Sequence, residues 1–150
     1  MEYDVVFAEN VTIESLNPHN FAMKNEYIDN LISTAWLLIP KTARQQSGLR
    51  IVKGFLSDSY MRQHYRTDNA DYILKHAKGL ALEVTWDMFT ADDATNVGHD
   101  IIRECLEPIY VIVDSSRKKI CIYRRYLTDK SVLAQLVDGS QRVVKTIPFD

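Results

Sequence analysis

Near the middle of the chain stands the sequence His76-Ala77-Lys78-Gly79-Leu80-Ala81-Leu82-Glu83-Val84-Thr85-Trp86. Residues 79–85 alternate in character, and this period of two predicts a strand with two different faces. One face carries Leu80, Leu82 and Val84, and the other carries Ala81, Glu83 and Thr85. A charged residue in the middle of a strand needs a partner, water or a metal ion if its face is covered. Because Gly79 allows a turn, His76 and Glu83 can face one cavity, and both side chains are able to bind a cation.

Length and composition indicate one soluble globular domain. The 150 residues suffice for a single sizeable core, and 46% of them are hydrophobic and 25% charged. A formal net charge of -2 gives no electrostatic reason to expect nucleic acid or an anionic membrane as a partner. Basic residues do cluster in Arg117-Lys118-Lys119 and in Arg124-Arg125. Solvated side chains at a hairpin turn explain these runs more simply.

The chain is expected to be made in the cytoplasm. Its start, Met1-Glu2-Tyr3-Asp4, is acidic and is followed by no apolar segment of the kind found in signal peptides. Its apolar runs are far shorter than the ~20 residues of a membrane helix. Two cysteines, Cys105 and Cys121, are therefore expected to be free thiols.

The first third of the chain predicts one long core helix. From Met23 onward the apolar residues recur with helical spacing, and Asn20 is a plausible cap. The predicted buried face consists of Met23, Tyr27, Ile28, Leu31, Ile32, Ala35, Trp36 and Ile39. Pro40 should end or kink this helix, with a further turn reaching residue 46. Before the helix we expect extended segments at 3–8 and 11–16 and a turn at 17–20.

The rest of the chain predicts alternating helices and strands, an α+β arrangement with an antiparallel finish. We expect a strand at 49–55, a helix from Ser57 or Asp58, a break at 67–69 and a helical turn at 71–75. A helix at 94–106, capped by residues 90–93, should precede a hairpin of strands 109–113 and 119–123. The chain should finish with a helix at 128–137 that ends at Gly139 and an extended tail at 143–149. Ser57-Asp58-Ser59 is interpreted as a helix cap, because no histidine is placed to activate a serine.

Two segments together resemble a known family. The pattern His-x-x-Gly-x-Ala-x-acid at His76, preceded by Ile51-Val52-Lys53-Gly54-Phe55-Leu56-Ser57, resembles zinc peptidases that cut bacterial cell-wall peptides. These are the D-Ala-D-Ala carboxypeptidase and L-alanyl-D-glutamate endopeptidase type, which share a fold with the hedgehog signalling domain. The resemblance runs from about residue 20 to residue 123. It implies a small mixed or antiparallel sheet with a long packing helix, in a single domain 1–150 divided into an extension (1–19), a peptidase-like core (20–126) and a C-terminal helix and tail (127–150).

The resemblance also implies a zinc site. His76 takes the position of the first ligand, and Glu83 stands where the family usually has aspartate. The family's third ligand is a histidine on the last strand, whereas this strand reads Lys119-Ile120-Cys121-Ile122-Tyr123. Cys121 is the alternative third ligand, because thiolate binds zinc well. The candidate metal ligands are therefore His76, Glu83 and Cys121.

Other parts of the family's catalytic machinery have no counterpart. Asp114 is the only carboxylate near the position of the general base, and it lies at the predicted turn. Leu56 stands in place of the arginine that holds the substrate carboxylate. Zinc hydrolysis needs a metal, a base and a grip on the substrate. We therefore expect no enzyme activity and no cofactor, with zinc as the one alternative.

Several residues have a plainer interpretation beside the functional one. His76 can be a hydrogen-bonded or capping histidine, and Glu83 an exposed strand residue. His64 and Asp71 repeat the seven-residue spacing of the candidate ligands without the glycine and alanine between them. Trp36 is expected in the core, while Trp86 and Phe89 are expected to line a cleft or a partner surface.

Three functions follow from the resemblance. The first is a non-enzymatic structural or binding module on a degenerate peptidase fold, encoded by a bacteriophage and incorporated into a virion through contacts with other protein subunits. The second is an active zinc-dependent cell-wall peptidase. The third is a module that retains the cleft and binds peptidoglycan or a protein peptide without cutting it. The first is the main hypothesis, with the tail after Gly139 and the aromatic surfaces as expected contacts.

Overall fold

In a computed structural model of the chain, residues 6–8, 11–45, 48–64, 75–124, 130–137 and 140–148 are described. The elements are β1 (Val6–Ala8), β2 (Val11–Thr12), α1 (Asn25–Gln45), β3 (Arg50–Lys53), α2 (Asp58–His64), β4 (Ala81–Thr85), α3 (Ala91–Glu104), β5 (Ile109–Asp114), β6 (Lys119–Arg124), β7 (Lys130–Val137) and β8 (Ser140–Pro148). No helix in these described segments is long and apolar enough to cross a membrane.

A six-stranded mixed sheet forms the centre of the fold, in the order β3-β4-β6-β5-β7-β8. β5 and β7 are parallel, and the other neighbouring pairs are antiparallel. β1 and β2 form a separate antiparallel pair. The predicted α+β class with a mixed sheet and a long helix is confirmed.

The main core lies between one face of this sheet and the helices α1 and α3. The alternation predicted for residues 80–85 is confirmed, because Leu82 and Val84 face this core while Ala81 belongs to a smaller cluster on the opposite face. The largest fully buried side chains include Leu31, Leu38, Ile39, Leu82, Ile101, Ile109, Ile120, Ile122 and Leu133. Burial of these apolar side chains is the dominant stabilising contribution.

The long helix α1 differs from the prediction at its start and on one side. It begins at Asn25, and Asn20 lies in the preceding turn with φ +53° instead of capping the helix. Pro40 does not end it, and the helix continues to Gln45. The prediction that Trp36 is core is wrong: it is 49% exposed, and its ring meets Phe7 edge-on with centroids 5.0 Å apart.

The predictions for α3 and the β5–β6 hairpin are confirmed. Thr90 is the N-cap of α3, where its hydroxyl accepts a hydrogen bond of 3.2 Å from the amide of Asp93. The helix starts at Ala91, three residues earlier than predicted. The predicted inward residues Val97, Ile101, Ile102 and Cys105 are all buried.

The prediction of a helix at 128–137 is wrong, because β7 (Lys130–Val137) is a strand. Leu133 packs into the main core while its neighbour Ala134 joins the cluster on the other face of the sheet. This period of two is imposed by parallel pairing with β5, and it overrides a helical propensity of the segment. The tail is extended as predicted over 143–148, and β8 begins three residues earlier, at Ser140.

Smaller differences concern the remaining elements. Of the segment 11–16, only Val11–Thr12 is a strand, and turns follow. Of the segment 49–55, only Arg50–Lys53 is a strand. The expected cleft position of Trp86 is wrong, since it is 2% exposed and belongs to the core. The predicted break at 67–69, residues 71–74 of the helical turn predicted at 71–75, and the helix stop at Gly139 lie outside the described residues.

A candidate site built around Glu83

The site lies on β4 and β6, which pair in antiparallel register. Glu83 is directly opposite Cys121 in this pairing. The strand that carries Glu83 and the hairpin that carries Cys121 thus belong to one sheet, as the resemblance required. Both residues are buried, with 1% and 3% of their surface exposed.

Side chains of helix α1 hydrogen-bond to backbone carbonyls of the segment before β4. Asn30 donates its amide Nδ2–H to the carbonyl of Lys78 at 3.0 Å, and the Thr34 hydroxyl donates to the carbonyl of Gly79 at 2.8 Å. Gly79 has φ +74°, and a Cβ there would lie 2.4 Å from the carbonyl oxygen of Tyr27. The glycine of the motif is therefore required by close packing on α1, whatever chemistry the site performs.

His76 is held between a backbone carbonyl and a carboxylate. Its Nδ1 lies 3.1 Å from the carbonyl oxygen of Gly54, and its Nε2 lies 3.1 Å from Oε2 of Glu83. Both partners are hydrogen-bond acceptors, so a proton on either ring nitrogen has an acceptor within reach. Gly54 itself is packed tightly, since a Cβ there would lie 2.1 Å from the carbonyl oxygen of Leu16. The two segments that carry the family resemblance thus meet at His76.

Two lysines complete the surroundings of Glu83. Lys119 Nζ contacts Oε1 in a short ion pair, and Lys53 Nζ lies 3.4 Å from Oε2. The lysine side chains are only 13% and 18% exposed, so their ammonium groups reach into the site from the sheet surface. We call His76, Glu83, Lys53 and Lys119 the Glu83 cluster.

The charges in the cluster shift the acidity of its members. Burial alone raises the pKa of Glu83, but the hydrogen bond and charge of His76 and the charges of both lysines outweigh it. The pKa of Glu83 is therefore held far below its usual range, and the side chain is a carboxylate. Burial lowers the pKa of Lys119, and the attraction of Glu83 more than offsets it, so that this pKa is raised.

Cys121 is a neutral thiol in this site. Burial raises its pKa well above the usual value, and the negative charge of Glu83 raises it further. Zinc and nucleophilic chemistry both use the thiolate, which this environment disfavours. The pKa of the other cysteine, Cys105, is also raised, mainly by burial.

The cluster does not fit a zinc ion. Two ligand atoms on a tetrahedral zinc lie about 3.3 Å apart, so the spacing of His76 Nε2 and Glu83 Oε2 alone is compatible with one. However, the ammonium groups of Lys53 and Lys119 already supply positive charge to both carboxylate oxygens, and they would repel a further cation. Within the described segments, no group of three or more histidine, cysteine or acidic side chains is arranged to hold a metal ion.

Other residues singled out by the sequence have structural roles. Asp114 is buried, and its Oδ1 accepts a hydrogen bond of 2.9 Å from the amide of Arg117 in the hairpin turn. Leu56 packs with Met61 in a small apolar cluster. The predicted cap is confirmed, since the Ser57 hydroxyl accepts from the amide of Tyr60 at 3.2 Å. His64 is exposed and stacks on Tyr60, while Asp71 lies outside the described residues.

Sequence reasoning missed Lys53 and Lys119 as members of the site. Their contact with Glu83 depends on β4 lying between β3 and β6, and the sequence does not give this strand order. The sequence does contain a weak indication of this site, because Lys53 is the last residue of β3 and Lys119 is the first residue of β6. Such a position lets a long side chain lie along the sheet with its charged end near a partner.

Comparison with known proteins gives no further guide to the site. No family model matches the chain, and neither a curated protein nor a solved structure matches it.

Proposed function

We propose that this protein is a non-enzymatic structural or binding module that joins other protein subunits in an assembly. The observation that carries the proposal is the Glu83 cluster, which supplies the carboxylate with cationic partners from the chain itself. In a zinc peptidase the corresponding acid would bind the metal, as the resemblance implies. Here His76, Lys53 and Lys119 satisfy it instead.

A buried, fully paired carboxylate supports a role in specifying the fold. Removing one partner from such a group leaves an uncompensated buried charge, which is strongly destabilising. The cluster links three strands and the segment before β4, because Lys53, Glu83 and Lys119 lie on β3, β4 and β6. These contacts therefore support a structural role for the cluster, in which it stabilises one register of the three strands.

Among the described residues, the two positions that the resemblance marks for catalysis do not support it. Asp114, the carboxylate that the sequence places near the position of the base, accepts a hydrogen bond from the amide of Arg117. Leu56, in place of the substrate-binding arginine, is 3% exposed and packs among apolar side chains. Neither position offers the proton acceptor or the cationic grip that peptide hydrolysis needs.

The expected partners follow from the resemblance alone. Small cell-wall peptidases are common among bacteriophage genes, and a copy without catalytic groups suits a structural component of the phage particle. We therefore propose virion subunits as partners and binding of peptidoglycan without cleavage as the alternative.

Activity is tested with protein purified without chelators or a histidine tag. The proposal predicts no hydrolysis of cell-wall sacculi, with or without added zinc. Hydrolysis that is lost in Glu83→Gln and kept in Glu14→Gln, an exposed control, would contradict it.

Assembly is tested by size-exclusion chromatography and mass spectrometry of extracts in which the chain is expressed with its native neighbouring genes. The proposal predicts that the chain elutes with a large particle. Elution as a free monomer, or retention on sacculi alone, would count against subunit joining.

A further inference from the structure

The six-stranded sheet ends in two different edge strands, β3 and β8. β3 has four residues, and its pairing register with β4 shifts between Ile51 and Lys53. The chain that follows β3 already has a backbone partner, because the amide of Phe55 donates to the carbonyl of Leu16 at 2.7 Å. Short length and an irregular register are among the features by which proteins keep a sheet edge from pairing with another chain. β3 therefore offers little edge to a further strand.

β8 is the longer edge strand. It has nine residues, Ser140–Pro148, and within the described segments its strand neighbour is β7. The amide and carbonyl groups on the outer side of β8 have no strand partner in this part of the chain. Proline, which cannot donate a hydrogen bond to a ladder, stands only at the last position of the strand. An edge of this length is a template for pairing with another strand.

A single register shift divides β8 into two halves of equal length. Residues 145–148 pair with 130–133 and residues 140–143 pair with 134–137, so Val144 has no opposite residue in β7. A two-fold axis at Val144 would place residues 140–143 of one copy opposite residues 145–148 of another. Both halves would then form uninterrupted antiparallel pairs, and the irregular position would lie on the axis.

We propose that the edge of β8 pairs with β8 of a second copy of this chain, antiparallel and with the two-fold axis at Val144. The second copy fits this edge because its β8 has the same length and the same unpaired backbone groups, so one symmetric contact satisfies both. Because β3 offers little edge, the pairing stops at a dimer and does not continue into a fibre. The inference goes beyond the proposed function, since it concerns two copies of the chain and no other subunit.

The sequence of β8 agrees with this register. Its two charged residues are Arg142 and Lys145. With the axis at Val144, Arg142 of one copy falls opposite Thr146 of the other, and Lys145 falls opposite Val143. An axis between Val143 and Val144 would instead place Arg142 opposite Lys145, and like charges directly opposite destabilise a strand pair. The proposed axis avoids this repulsion.

Cross-linking at the axis tests the dimer. In Val144→Cys the two thiols belong to residues whose Cα atoms would be about 4.5 to 5.5 Å apart, which is within the range of a disulfide. We expect diamide to convert this variant into a covalent dimer on a non-reducing gel. The matched control is Val52→Cys, the same change at an exposed position of the other edge strand. Both natural cysteines are buried.

Thr146→Cys tests the register of the pairing. In the proposed dimer the two copies of residue 146 are four positions apart along the strands, about 13 Å, which is too far for a disulfide. We therefore expect no cross-linked dimer from this variant or from Val52→Cys. Cross-linking of either one as fast as Val144→Cys would show random collision and overturn the proposal.

Size-exclusion chromatography with light scattering measures the dimer of the wild type without any substitution. We expect the mass to approach twice the 17.3 kDa of one chain as the protein concentration rises. A monomer at every concentration overturns the proposal.

Two variants of one residue test the position of the axis. Thr146→Glu places a carboxylate opposite Arg142 of the second copy, and Thr146→Lys places a cation there. We expect the dissociation constant of the dimer to be about tenfold higher for Thr146→Lys than for Thr146→Glu, because each pair occurs twice across the two-fold axis. Thermal unfolding of both variants checks that they are folded. Equal dissociation constants for the two folded variants would contradict the axis at Val144.

The same measurements separate this inference from the proposed function. If the purified chain is monomeric and still elutes with a large particle from extracts, the second copy is overturned as the partner of β8 while the module function stands. If the chain forms the cross-linked dimer and elutes free of any particle, the dimer stands and the module function fails.

Discussion

At Glu83, burial and the neighbouring charges act in opposite directions on one carboxyl group. Burial favours the neutral form, while His76, Lys53 and Lys119 favour the carboxylate and prevail. The Glu83 side chain is thus a buried anion, and the stability of the folded protein depends on all three of its partners.

Replacing this anion by its neutral isostere should be costly. We expect Glu83→Gln to lower the free energy of unfolding by about 3 kcal/mol, because two largely buried lysines would lose the negative charge of Glu83. Urea denaturation measures the effect. Glu14→Gln, at an exposed turn position, should change stability by less than about 0.5 kcal/mol. A loss of similar size in both variants would show that the cluster is not stabilising.

The lowered pKa of Glu83 gives the variant a pH signature. A carboxyl group whose pKa is lower in the folded than in the unfolded state contributes stability above its unfolded pKa, here 4.5, and loses this contribution as the pH falls toward the folded pKa. The stability difference between wild type and Glu83→Gln should be constant from neutral pH down to about 5 and shrink below it. A difference that grows on acidification would contradict the assignment of the charge.

Among the elements, the contact between α1 and the segment before β4 explains a motif glycine. Gly79 lies against the carbonyl of Tyr27, and its own carbonyl accepts from Thr34. The family pattern led us to expect this glycine at a metal site, and its packing on α1 requires it in any case. The presence of a glycine at this position is therefore not by itself evidence for a metal site.

A pair of glycine substitutions tests this packing. Gly79→Ala should lower the free energy of unfolding by about 2 kcal/mol or more, since the added methyl meets backbone atoms and φ is positive. Gly98→Ala in α3 should cost less, because the added methyl meets the end of the Leu133 side chain rather than backbone atoms and alanine favours a helix. Thermal unfolding of both variants measures the contrast. Equal losses would refute the tight contact at Gly79.

The elements also show what local sequence patterns can predict. The α3 cap at Thr90 and the β5–β6 hairpin were predicted because their signals are local. β7 was mistaken for a helix, because its strand pairing with β5 is a long-range contact. The predicted positions of the two tryptophans were wrong for the same reason, because burial depends on long-range packing. β1 packs beside Trp36 and leaves it half exposed, whereas Trp86 is buried in the core.

For the whole molecule, the sequence predicted the fold class and two members of the site. His76 and Glu83 meet as expected, and Cys121 lies opposite Glu83. The two lysines that determine the charge of the site come from strands whose order is a property of the assembled sheet. The interpretation of the site therefore changes from metal ligands to a buried ionic cluster.

The zinc content of protein purified without chelators or a histidine tag tests this interpretation most directly. We predict no stoichiometric zinc and the same Tm with and without EDTA, because lysine ammonium groups already neutralise Glu83. About one zinc per chain, lost in His76→Ala, would contradict the account and restore the zinc-peptidase interpretation.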